Sequence, residues 1–96
     1  MFTVKLMKEM HVVTDAKGNH KGRFSTKIVE ASEVNIHILR PNELAEVSGE
    51  CDGNNFAFYI SDRNKARPEG FAEEVDFWFA AFIENSSGAT TEVVRF

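Results

Sequence analysis

Phe71-Ala72-Glu73-Glu74-Val75-Asp76-Phe77-Trp78-Phe79-Ala80-Ala81-Phe82-Ile83-Glu84 can be read in two periods. At helical spacing, Phe71, Val75, Trp78, Phe79, Phe82 and Ile83 recur at i, i+4, i+7, i+8, i+11 and i+12, one face of an amphipathic helix. At period two, Val75, Phe77, Phe79, Ala81 and Ile83 share one side and Trp78, Ala80 and Phe82 the other, a strand apolar on both sides. Phe77 spoils the polar face that a helix needs, and the aromatic density favours a strand. The residues that follow decide for a strand from about residue 76. Asn85-Ser86-Ser87-Gly88 sets Asn first and Gly fourth, which suits a type I turn closed by a left-handed residue. Thr90 to Val94 is then a β-branched return strand. The alternative is an α+β domain with a helix at about 69–84 on an antiparallel sheet. A short helical turn at Pro68–Glu74 is compatible with the strand reading.

The same turn chemistry recurs in Asp15-Ala16-Lys17-Gly18. Before it, Phe2, Val4 and Leu6, then Met10 and Val12, alternate with polar residues, and Lys8 breaks the pattern as at an edge or bulge. After it, Phe24, Thr26 and Ile28 alternate. So do Val34, Ile36 and Ile38, with Asn35 and His37 on the opposite side. Arg40-Pro41-Asn42 ends that strand, because proline has no N–H for the ladder. Leu44 to Cys51 is a weaker strand, Asp52 to Asn55 a turn, and Phe56, Phe58 and Ile60 one face of the strand beyond it. The pattern predicts an all-β fold, a small antiparallel sandwich or barrel of five to seven strands, with Gly18 and Gly88 at positive φ.

Composition sets the outer bounds. The chain has 96 residues, 43% hydrophobic and 27% charged, which is one folded domain spanning 1–96. Its single cysteine, Cys51, allows no intramolecular disulfide and no cysteine-only zinc site. The opening Met1 to Leu6 lacks the apolar core of a secretory signal. The longest wholly apolar run, Phe77 to Ile83, falls far short of the ~20 residues of a helical span. No membrane association is expected, and a lone thiol fits a reducing cytoplasm. The net charge of −4 argues against nonspecific nucleic-acid binding. Residues 1–40 carry seven Lys and Arg against four Asp and Glu, and residues 41–96 four against eleven. A basic and an acidic face follow unless strands from the two halves interleave.

Catalytic chemistry finds little to stand on. His11, His20 and His37 show no ligand spacing, and zinc needs three or four convergent ligands. Cys51 lies between Glu50 and Asp52, whose like charge disfavours a thiolate. Glu73-Glu74 reads as a solvated pair. No nucleotide, hydrolase or metalloprotease motif occurs. The expectation is no catalytic residue, no metal and no cofactor.

Binding features are clearer. Two basic clusters stand out: His20-Lys21-Gly22-Arg23, and Arg63, Lys65 and Arg67 in the polar stretch Ser61–Gly70. If that stretch is an extended surface loop, its three cations point one way and suit an acidic partner. Of the 11 aromatic residues, five lie between Phe71 and Phe82, and Phe71, Trp78 and Phe82 can supply the apolar anchor. Met7 shares the outward side of the first strand and extends such a patch. The candidate partner-binding residues are therefore Arg63, Lys65, Arg67, Phe71, Trp78 and Phe82. Phe56-Ala57-Phe58-Tyr59 has the aromatics of an RNA-binding strand but no flanking cation before Arg63.

The closing run Ala81-Phe82-Ile83-Glu84-Asn85-Ser86-Ser87-Gly88-Ala89-Thr90-Thr91-Glu92-Val93-Val94 looks like small uncharacterised proteins encoded by bacteriophages. The resemblance covers about the last quarter of the chain and carries no catalytic or binding motif. It implies a bacterial host cytoplasm and a non-catalytic role, binding a host or phage protein. The expected function is thus a non-enzymatic protein-binding module, an accessory factor engaging a host protein. The alternative is a structural or assembly protein acting by homo-oligomerisation. A third reading is a weak nucleic-acid-binding module using the basic loops.

Overall fold

The period-two stretches form strands, and the turn signals fall between them. The computed structural model describes the backbone of residues 1–96 and the side chains except those of 9–13 and 20–24. Its strands are β1 (Phe2–Thr14), β2 (His20–Ala31), β3 (Glu33–Arg40), β4 (Leu44–Cys51), β5 (Asn54–Ser61), β6 (Phe77–Trp78), β7 (Ala80–Glu84) and β8 (Thr90–Arg95). Two four-stranded sheets result, in the orders β2-β1-β7-β8 and β3-β4-β5-β6. Every pairing is antiparallel except that of β5 with β6. The fold is an all-β sandwich, not a closed barrel, and the described backbone contains no helix.

The aromatic run of 71–84 explains itself in this arrangement. The expected single strand divides at Phe79. Phe77–Trp78 extends the second sheet, with Tyr59 opposite Phe77 and Ile60 opposite Trp78. Ala80–Glu84 enters the first sheet between β1 and β8. That division raises the strand count to eight and excludes the helix at about 69–84. A segment that leaves one sheet for the other meets protein on both sides, so its apolar residues follow no single face. Nor is Pro68–Glu74 helical: it ends in a single hydrogen-bonded turn centred on Glu73 and Glu74, with the Val75 N–H donating to the Ala72 carbonyl at 3.1 Å. A second crossing lies between β2 and β3, where the Ser32 N–H and Oγ both donate to the Glu50 carbonyl, at 2.9 and 3.0 Å.

The core sits between the sheets. Val4, Leu6, Ala81, Ile83 and Val94 come from the first, and Ala45, Val47, Ile60 and Trp78 from the second. Each large aliphatic among them contributes about 1.5–3 kcal/mol by leaving water. The break in alternation at Lys8 is followed by a register shift between Glu9 and His11. Gly18 and Gly88 have φ of 82° and 85°, as the turn chemistry requires. Residues 62–76 do not trail in solvent. They fold back onto the outer side of the second sheet, where the Phe71 ring lies 5.1 Å from Tyr59 and 5.2 Å from Phe77.

Candidate functional site

The outer side of the first sheet is built by register alone. Lys5 stands opposite Ile28 on one side and Phe82 on the other, and Phe82 stands opposite Val93. Ile28, Lys5, Phe82 and Val93 therefore form one row across all four strands. Thr26, Met7, Ala80 and Arg95 form the next. Ile28 is 60% exposed and Val93 50%, so the first row meets solvent at both ends. Lys5 within it is bound to Glu84 at 2.6 Å.

Where these rows approach the loop after β5, a cleft of about 660 Å³ opens. Met7, Phe79, Phe82 and Phe96 give it apolar lining, and Lys8, Arg63 and Arg95 bring three cations. No carboxylate side chain lines it among the described residues. The cations differ in their surroundings. Lys8 is tied to Asp76 at 2.6 Å and lies 5.5 Å from the Trp78 ring. The Arg95 side chain makes no hydrogen bond or ion pair with any described residue, and its guanidinium lines the cleft.

The six residues singled out from the sequence separate into distinct settings. Arg63 and Phe82 meet at the large cleft. Arg63, Lys65 and Arg67 also border a smaller one of about 320 Å³, where Asp62, Glu73 and Asp76 offset their charge. The loop is not extended there. The Lys65 N–H donates to the Asp62 carbonyl at 3.2 Å and the Asn64 N–H to Asp62 Oδ1 at 2.9 Å, so the chain turns. Lys65 pairs with Glu43 at 3.5 Å. Arg67 donates to the carbonyls of Phe71 at 3.4 Å, Ala72, and Val75 at 3.2 Å, and its guanidinium lies 5.1 Å from the Phe77 ring. Arg67 and Phe71 thus fasten the loop to the sheet. Trp78 is a core residue, edge-on to Phe58 at 6.5 Å.

Met7 lines the cleft, in keeping with its outward place on β1. Arg95, Phe79 and Phe96 escaped sequence reasoning. The signal for Arg95 was present: Val93 and Arg95 share a side of the last strand, and pairing that strand with Phe82 sets all three together.

Other reactive groups offer no assembled chemistry among the described residues. Partial burial, and then the carboxylates of Asp52 and Glu30, push the Cys51 thiol up, which keeps it protonated and a poor nucleophile. His37 is exposed on β3, and the side chains of His11 and His20 lie outside the described residues. No three His, Cys, Asp or Glu among the described residues come together to hold a metal ion. No helix is long and apolar enough to cross a membrane.

No family model, curated protein or solved structure matches this chain. An apolar lining beside cations receives an apolar group carried next to an anion.

Proposed function

We propose that this chain is a non-enzymatic protein-binding module whose partner docks on the outer side of the first sheet, at the cleft around Phe82. The observation that carries this reading is the row Ile28–Lys5–Phe82–Val93, which crosses all four strands, is open to solvent at both ends, and adjoins a cleft with three cations. Interface cores are rich in aromatic residues, Met and Arg, the types gathered here. The resemblance of the closing run to small phage-encoded proteins supports a bacterial host protein as the partner. A double variant, Phe82→Ser with Val93→Ser, tests the role. Proteins retained from bacterial lysate by the tagged wild-type chain are quantified against those retained by the variant and by a control changed on the other sheet, His37→Ala. A retained protein should be lost with the double variant and kept with the control. An identical retained set for all three, with folding intact by circular dichroism, overturns the role.

A further inference from the structure

Resting on the binding role proposed above, we infer that the partner enters as an extended segment added antiparallel to β8, with an acidic side chain opposite Arg95 and an apolar one opposite Val93. β8 ends the first sheet, and all its residues except Val94 are exposed. An edge strand presents one row of unpaired N–H and C=O groups, which only another extended backbone completes. β8 is also the edge at which both features of the docking side converge. The apolar row ends on it at Val93, and Arg95 lines the cleft.

Alternation then fixes what the added segment carries. Val93 and Arg95 lie on the side of Phe82 and Ala80, and Val94 points into the core. An added strand prolongs each row by one residue. The residue opposite Arg95 meets a cation with no described partner, so it is Asp or Glu. The residue opposite Val94 covers the open end of the core and is apolar. The residue opposite Val93 extends the apolar row, and the one opposite Glu92 is Lys or Arg. Directly opposed side chains of this kind support one another in antiparallel pairs. Read from amino to carboxyl end, the matching core is Glu-Val-Ile-Lys. A nucleic acid offers phosphate to Arg95 but nothing to the ladder, and it meets a chain of net charge −4.

The probe is a fluorescent peptide holding Glu-Val-Ile-Lys between Gly-Ser flanks, followed by anisotropy at low salt. Its comparators are a scrambled peptide and two backbone N-methylated forms, one blocking each alternate set of amides. The parent should bind at least about tenfold more tightly than the scramble, and one N-methylated form should lose about that much while the other keeps it. Arg95→Glu should weaken the parent about tenfold and regain binding to a peptide with Lys in place of its Glu, a rescue that no misfolded variant gives. Three results overturn the inference: no preference over the scramble, equal binding of both N-methylated forms, or a dimer of the chain at micromolar concentration that buries β8. None of these touches the lysate comparison, so a partner lost on changing Phe82 and Val93 while both N-methylated peptides bind alike leaves the binding role standing without strand addition.

Discussion

Asp15 and Asn85 hold the same place in two turns and make nearly the same bonds. Asp15 Oδ1 accepts the N–H groups of Lys17 and Asn19, both at 2.9 Å. Asn85 Oδ1 accepts those of Ser87 and Ala89, at 3.0 and 3.1 Å. One acceptor titrates and the other does not. The Asn19 N–H, with that of Lys17 and against some desolvation, holds the Asp15 carboxyl below its ordinary value. A depressed folded value means the turn's stabilisation is complete above the unfolded value of about 3.9 and drains away as pH falls through the lower folded one. Acidification below about pH 4 should therefore loosen the Lys17 and Asn19 amides in hydrogen exchange and leave Ser87 and Ala89 protected. Asp15→Asn should make the two turns behave alike, and equal acid loosening of both turns in the wild type would contradict the assignment. Gly49 is a second residue with a sharp requirement. A Cβ there would stand 2.2 Å from the Glu33 carbonyl oxygen and 2.6 Å from the Phe56 ring. The carbonyl belongs to a paired strand and cannot withdraw, so Gly49→Ala should cost about 2–3 kcal/mol, read as a lower urea midpoint with unchanged slope. The two turns were legible in the sequence because their bonds close within five residues. Gly49 was not, because its neighbours come from strands that only the folded sheet brings together.

Among the elements, the segment 62–76 departs most from its composition. Its polar part carries Pro68 and Gly70, and the sequence reads Ser61–Gly70 as a surface loop. Arg67 changes that by bonding three carbonyls of its own loop while stacking near Phe77. Carbonyl acceptors leave no mark on a sequence, and so the fastening could not be read there. Arg67→Ala should cost about 1–3 kcal/mol and speed amide exchange over 69–76. Arg67→Lys should not restore it, since an ammonium cannot span three carbonyls as a planar guanidinium does. Full protection in the alanine variant would show that Phe71 alone holds the loop. The strands themselves were legible, since alternation and turn residues agree from β1 to β5. The division at Phe79 was not, because a period-two pattern shows that a residue faces protein without showing which sheet it belongs to. The candidate site shared that fate. Phe82 and Arg63 stood out in the sequence and line one cleft, but placing Arg95 beside them needed the pairing of β7 with β8.

At the scale of the molecule, Phe77-Trp78-Phe79-Ala80 ties the sheets into one cooperative body. Trp78, 9% exposed, is the chain's single tryptophan and lies in the core that both sheets share. Its fluorescence and the far-ultraviolet circular dichroism should thus change with the same urea midpoint, and two separated midpoints would mean that the sheets unfold independently. The order β2-β1-β7-β8 carries one more consequence, for the way the chain is made. β1 is an inner strand, yet Thr3 finds its partner in Glu84. While a ribosome emits the chain from its amino end, the β1–β2 hairpin emerges with one inner edge bare, and it stays bare until residues 80–84 clear the exit tunnel. The first sheet is therefore completed only once its last two strands have emerged. For that interval the nascent chain exposes Val4 and Leu6, two of the residues that the finished sandwich hides completely, and the crowded translating cell is where this fold is most open to mispairing.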